Sequence, residues 1–241
     1  MFFDIIELVG SDIVLENIMN DEEVKKVINS INDVIIIDNC GCHGMAHALR
    51  VMNYVEIILQ GIGSNEHDVE LGKIAAYLHD TGAISGKSGH AERSSDFAEK
   101  YLTAIQMPIE DKEVIVHAIA DHSGGKDLQS NIGAALVFAD KIDMFKDRML
   151  RFKENNYFHD NIKHMLNIEV KVTEDSINVN IVTDGNFDYT SLRDYEKMIT
   201  VPTKMAQYFN KKCTFSIDGQ FIDLLSVVTS EQSKSFTKEI N

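Results

Sequence analysis

Six residues between positions 47 and 140 are of types that could do chemistry together: His47, the adjacent pair His79 and Asp80, His90, His122 and Asp140. A neutral imidazole nitrogen is a good ligand for a borderline transition metal, and a carboxylate has two oxygens with which to bridge two ions. Four imidazoles and two carboxylates are therefore a donor set for one or two divalent cations. The sharpest part is the pair, set in Leu78-His79-Asp80-Thr81-Gly82. Taken singly, each histidine is more simply a hydrogen-bonded core residue, Asp80 a turn cap ahead of Gly82, and Asp140 a partner of Lys141 or Arg148. Asp140 weighs against that simple reading. It lies in the apolar run Ala134-Ala135-Leu136-Val137-Phe138-Ala139, where a carboxylate is costly to bury unless a cation meets it.

The elements that must position these residues are helices. Residues 21–31 start with acids and show helical spacing. Residues 43–60 carry Leu49, Met52, Val55 and Leu59 at steps of three and four and stop at Gly61 and Gly63. Residues 66–79 place Leu71, Ile74, Ala75 and Leu78 on one side. A glycine-punctuated loop spans 80–89. Helices follow over about 90–106, broken by Pro108, over about 110–122, and over about 130–152. On this reading His79 and Asp80 end a helix, where the backbone can turn both toward one ion, and His90 opens the next.

After about residue 164 the pattern changes. Residues 166–172 and 177–181 alternate around Thr173-Glu174-Asp175-Ser176, which predicts a β-hairpin. Helix returns over 190–210, interrupted or restarted at Pro202. Residues 212–217 and 220–228 read as strands around Asp218-Gly219. The expected architecture is mainly α: a helical bundle over 1–164, a small C-terminal α+β appendage over 165–228, and a polar tail over 229–241. The appendage aromatics (Tyr189, Tyr195, Tyr208, Phe209, Phe215) read as its core. A cover for the metal site and a homodimer contact are both open to it.

Composition narrows the function. The chain has 241 residues, 44% hydrophobic and 25% charged, with a net charge of −15. So acidic a surface repels polyphosphate backbones and argues against extended nucleic acid as a partner. A small anionic substrate remains compatible, because bound cations invert the local charge. Three cysteines, Cys40, Cys42 and Cys213, are too few and uneven for a disulfide framework and fit a reducing compartment. The opening Met1-Phe2-Phe3-Asp4 lacks the basic region of a signal peptide. No apolar run reaches the roughly 20 residues of a bilayer span. The expectation is a cytoplasmic protein without membrane contact.

The order of the six residues resembles the HD superfamily of metal-dependent phosphohydrolases. His47, His79-Asp80 and Asp140 match its core pattern. Ser88-Gly89-His90-Ala91-Glu92 and Ala118-Ile119-Ala120-Asp121-His122-Ser123-Gly124 match the two further histidine positions of its dinuclear members. The resemblance covers roughly residues 40–150 and is nearest to the HD domain of ribonuclease Y-like phosphodiesterases. It departs from them in that neither a KH domain nor a membrane anchor is expected within these 241 residues. Ala83 stands where many relatives carry lysine, and Asp121-His122-Ser123 where many carry a histidine pair.

What the resemblance implies is hydrolysis of a small phosphate ester such as a nucleotide. His47, His79, Asp80 and Asp140 would hold one ion, with Asp80 bridging to a second held by His90 and His122. The imidazole-rich set favours Mn, Fe, Ni or Zn over Mg. Asp80 and Lys87 are the residues it implies for catalysis, Lys87 as a phosphate contact from the loop Ser85-Gly86-Lys87-Ser88-Gly89. An HD-type di-iron oxygenase and a non-catalytic nucleotide sensor are the alternatives. Two histidines are left over. His43 lies one turn before His47. His117 lies five residues before His122 and points ~140° away on a regular helix. The run Cys40-Gly41-Cys42-His43 has no second half and reads as incidental to zinc.

Overall fold

Capping chemistry sets the helix boundaries. The computed structural model describes residues 12–35, 43–124, 128–144, 148 and 157–229. It begins with α1 (Asp12–Asn20) and α2 (Glu22–Ile35). The Asp21 carboxylate starts α2 by accepting from the backbone N–H groups of Glu23 and Val24, at 2.8 and 3.1 Å. Next come α3 (Met45–Gly61) and α4 (Glu66–Leu78), the latter capped by Asn65, which accepts from the Asp68 N–H at 2.8 Å. A 3₁₀ turn (Thr81–Ser85) leads to α5 (His90–Ala104), α6 (Ile109–Asp121) and α7 (Asn131–Ile142). Ser130 caps α7 through the Gly133 N–H at 3.1 Å.

Helix α7 is the axis of the bundle. From Ile132 to Ile142 every residue but Lys141 is buried. A helix apolar on all sides must be surrounded, and α3, α4 and α6 pack around it, with α9 (Lys197–Tyr208) closing the remaining side. Val51, Val55, Ile58 and Leu59 of α3 meet Ile74, Ala75 and Leu78 of α4 and Phe138 of α7 in one core.

The C-terminal part follows α8 (Tyr157–Ile162). Strand β1 (Met165–Val172) pairs antiparallel with β2 (Ser176–Thr183), which is the expected hairpin. β2 pairs parallel with β3 (Lys212–Ile217), and β3 antiparallel with β4 (Gln220–Phe221), giving the order β1-β2-β3-β4. The parallel pair needs a crossover; α9 provides it and lies between α7 and β3. Ile168, Ile177, Val179, Ile181 and Phe215 fill the inner face of the sheet. One buried cluster runs through both parts of the chain.

Four expectations differ from the structure. The last bundle helix stops at Ile142 rather than near 152, because Asp143 leaves helical geometry at φ −73°, ψ 65° to bond across the bundle; residues 145–147 and 149–152 lie outside the described residues. Pro202 does not interrupt its helix. Hardly more than one turn precedes it, so it forfeits one backbone bond while Met198, Ile199, Met205 and Ala206 stay buried around it. The break falls earlier, after a 3₁₀ segment (Tyr189–Tyr195) started by the Asp188 cap on Thr190 at 2.9 Å. Only Gln220–Phe221 of the second late strand is extended; Asp223 accepts from the Ser226 N–H at 3.1 Å and starts α10 (Leu224–Thr229), whose Leu224 and Val228 are buried one turn apart. Of the aromatics read as core, Phe215 is buried, whereas Tyr189 and Tyr208 are at the surface. The Cys40-Gly41-Cys42 run, the opening eleven residues and the tail beyond Thr229 fall outside the described residues. Among the described residues no helix is long and apolar enough to cross a membrane.

Candidate metal centre

All six residues singled out in the sequence come together at one end of the bundle. His47 projects from the first turns of α3. His79 and Asp80 follow the last residue of α4, where Asp80 leaves helical geometry at φ −109°, ψ 6°. His90 opens α5, His122 caps the end of α6, and Asp140 sits in the last turn of α7. His47, His79, Asp80 and His122 are at most 3% exposed and Asp140 is 8% exposed.

Three of the histidines are oriented by the same local device. The Nδ1–H of His79 donates to the carbonyl of Ala76 at 2.7 Å, that of His90 to Lys87 at 2.8 Å, and that of His122 to Ile119 at 2.6 Å. Each acceptor lies three residues back, and those of His79 and His122 belong to the last turn of a helix, where carbonyls lack intrahelical partners. A donor proton at Nδ1 leaves Nε2 as a bare lone pair. His47 is oriented differently: its Nδ1 faces Oδ2 of Asp143 at 2.6 Å, which aims Nε2 at the cluster.

The four Nε2 atoms then converge in two pairs. Those of His47 and His79 lie 3.2 Å apart, and those of His90 and His122 lie 3.0 Å apart. Asp80 stands between the pairs. Its Oδ2 is 3.3 Å from His47 Nε2 and 3.2 Å from His79 Nε2; its Oδ1 is 3.3 Å from His90 Nε2 and 3.6 Å from His122 Nε2. Asp140 Oδ1 adds to the first pair, 3.3 Å from His47 and 3.9 Å from His79. Asp80 Oδ1 is buried and has no hydrogen-bond partner. A buried carboxylate oxygen left so is costly unless a positive charge meets it.

Electrostatics agree with that demand. Burial opposes ionisation of Asp80, but His79, His43 and His122 override it and hold the carboxyl well below the usual range. Asp140 is held low in the same way, against burial, by Lys141 and His47. Burial and Arg148 work against a charge on His47, yet Asp140, Asp143 and Asp80 together raise it to about 9. His90 is also raised, burial being outweighed by Asp80, whereas burial lowers His122. The cluster thus attracts cations, protons included.

Asp143, Arg50 and Arg148 complete the surroundings and were not singled out as site residues in the sequence. Asp143 is fully buried and takes two bonds from Arg50, Nε at 2.6 Å and Nη2 at 3.0 Å. Arg148 donates to the Asp143 carbonyl at 3.1 Å and lies 3.8 Å from Asp140 Oδ1. For Arg50 a local signal was available, three residues after His47 and one turn on along the same face of α3; Asp143 lies just past the end of α7, outside its helical spacing.

The loop from Asp80 to His90 is held by Arg93, which donates to the carbonyls of Gly82 at 3.0 Å, Ser88 at 2.7 Å, and Gly86. Gly82 is there because nothing larger fits: a Cβ would come within 2.4 Å of the Ser94 nitrogen and 2.5 Å of the His90 oxygen. The side chain of Lys87 is exposed, and it is its carbonyl that touches the cluster, through His90.

Of the two left-over histidines, His43 is buried against the cluster. Its Nδ1 is 2.6 Å from Asp80 Oδ2, and Arg148 Nη2 is 3.3 Å from both ring nitrogens. Burial, with the Arg148 charge added, pushes it down to about 3. It is placed as a neutral donor that turns Asp80. His117 is exposed and lies outside the cluster.

Three groups within this set, His43-His47-Asp80, His47-His79-Asp140 and His79-Asp80-His122, each bring three donor atoms within 4.8 Å of one another. In sequence, residues 44–145 match the family model of the HD domain. This segment is an HD domain. Its bounds enclose all six residues, from α3 to the end of α7. A solved structure described as a predicted HD superfamily hydrolase from an uncultured Thermotogales bacterium is similar at 21% identity, over 55% of this chain and 74% of that one, with a TM-score of 0.41. No curated protein matches the chain. HD domains bind divalent metals, and the His/Asp clusters of this one are able to do so.

Proposed function

We propose that the protein is a metal-dependent phosphohydrolase acting on a small phosphate ester, such as a nucleotide, with two divalent ions. The observation that carries the reading is Asp80: its two buried oxygens face two pairs of Nε2 lone pairs, and one oxygen has no hydrogen-bond partner. His47, His79, Asp80 and Asp140 would hold the first ion and Asp80, His90 and His122 the second. When bound, two such ions activate water near neutral pH and neutralise phosphoryl charge.

The protein's own residues would supply the rest. His43 donates to Asp80 Oδ2 and so presents Oδ1 toward His90 and His122. Asp143 keeps the His47 lone pair aimed inward. The cluster meets solvent along His90, Asp140 and Lys141, whose side chains are 12%, 9% and 16% exposed. A phosphate ester would enter there. Lys141, held on Asp140, supplies positive charge beside the entering anion, and Lys87 reaches from the neighbouring loop as a further phosphate contact. The donor set favours Mn, Fe, Ni or Zn over Mg. The test is a panel of chromogenic phosphodiesters and phosphomonoesters and of nucleotides, assayed with each metal. Hydrolysis lost in Asp80→Ala supports the reading; no turnover of any ester in a metal-loaded protein refutes it.

A further inference from the structure

Strand β1 is the outer strand of the sheet, and among the described residues its outer edge carries no further strand. Thr173 N–H donates to the Ser176 carbonyl at 2.8 Å in the hairpin turn. Bonded pairs alternate in an antiparallel ladder, so Lys171 and Glu169 bond to β2 while Val172, Val170 and Ile168 turn their backbone groups outward. The Tyr54 hydroxyl, donating to the Ile168 carbonyl at 3.3 Å, confirms that outward direction. Among the described residues no strand pairs with this edge. Alongside it runs a groove of about 420 Å³ between α3 and β1, walled by Leu49, Arg50, Tyr54 and Ile57 on one side and Ile168 and Val170 on the other. Leu49, 38% exposed, lines it, and Leu166 of β1 is 42% exposed.

We propose that the occupant of this edge is β1 of a second copy of the chain, antiparallel about a two-fold axis at Val170. Both strands must turn backbone groups toward each other, so only Ile168, Val170 and Val172 can be paired with one another. Three registers satisfy that condition near the centre, and the charges choose among them. An axis at Glu169 sets Glu169 opposite its own copy, and an axis at Lys171 sets Lys171 opposite its own copy. Like charges directly opposite destabilise a pair. The axis at Val170 alone sets Glu169 opposite Lys171 of the second copy, twice by symmetry. Glu169 is already turned to the solvent face of the sheet by Asn180, which donates to its Oε2 at 2.9 Å. Pairing here adds a strand about 4.8 Å from β1, beneath α3, and brings the exposed Leu49 and Leu166 against the second copy. It also covers Arg50, which holds Asp143 behind His47. The proposal does not depend on the reaction assigned to the metal centre.

The test is sedimentation equilibrium of the full chain from about 1 to 100 μM, with Glu169→Lys, Lys171→Glu and the double swap Glu169→Lys/Lys171→Glu. Each single variant sets two like-charge pairs in place of two attractive ones and should weaken the dimer by about tenfold or more. The double swap restores opposite charges and should restore the dimer. Circular dichroism checks that each exposed substitution keeps the fold. A wild-type chain monomeric throughout overturns the proposal, as does a dimer indifferent to the single swaps or not recovered by the double one.

Discussion

Replacing Asp143 by asparagine removes one charge from the centre without removing a ligand. Asp143 Oδ2 lies 2.6 Å from His47 Nδ1, and both its oxygens are held by Arg50, in a position with no solvent exposure. The amide keeps the shape but carries no charge, and it has one acceptor atom where two groups now donate. His47 loses the carboxylate that fixes its tautomer and strengthens its Nε2 lone pair. Partners of this kind are worth about 10–100-fold in metal affinity, the range expected here. Asp143→Ala would be less informative, because it also removes the buried acceptor to which Arg50 and His47 Nδ1 bond, at a cost of about 1–3 kcal/mol in stability. The assay is competition of Mn²⁺ or Zn²⁺ against a metal indicator, with Asp111→Asn, on the exposed pair with His67, as the control for removing an acid. Affinity within twofold of the unaltered protein in Asp143→Asn would refute the role assigned to this residue.

Four other outcomes are expected. His47 sits at about 9 in the absence of a metal, so an entering ion displaces a proton below that pH; affinity rises with pH up to about 9 and then levels, and calorimetry in buffers of different ionisation heat should read the proton released. The same raised value stabilises the cation-free fold fully below the ordinary histidine value of 6.5, and that contribution is lost as pH rises through about 9; thermal melts of chelated protein should show Tm falling across that window. Arg93→Met frees the three carbonyls that fix the loop ahead of His90, and elemental analysis should show the second ion lost before the first. Gly82→Ala forces a methyl onto backbone atoms of α5 and should cost about 1–3 kcal/mol in urea unfolding, whereas His117→Ala should leave metal content unchanged.

The parts of this molecule legible in the sequence are those governed by local chemistry. Helices α3 to α6 are written in apolar spacing and in stops such as Gly61 and Pro108, and the hairpin in strict alternation. All six residues of the cluster were legible because chemically unusual groups stand at predicted helix ends or, for Asp140, inside an apolar run. What was missed depends on partners far along the chain. Asp143 ends α7 because it reaches His47 and Arg50, 96 and 93 residues away, and no local pattern encodes that. The parallel pairing of β2 with β3 is likewise non-local. The short helix after Asp223 is ambiguous in sequence because Leu224, Leu225, Val227 and Val228 suit a strand as well as a helix; the Asp223 cap on Ser226 decides it.

The central claim is that Asp80 joins two half-sites into one dinuclear centre. Elemental analysis of the protein after loading with Mn²⁺, Fe²⁺ or Zn²⁺ and removal of excess metal tests it most directly, beside Asp80→Ala and His122→Ala. Two ions per chain are expected in the unaltered protein, one in His122→Ala and none in Asp80→Ala. A chain that retains no divalent ion, or whose metal content is the same in Asp80→Ala, would contradict it.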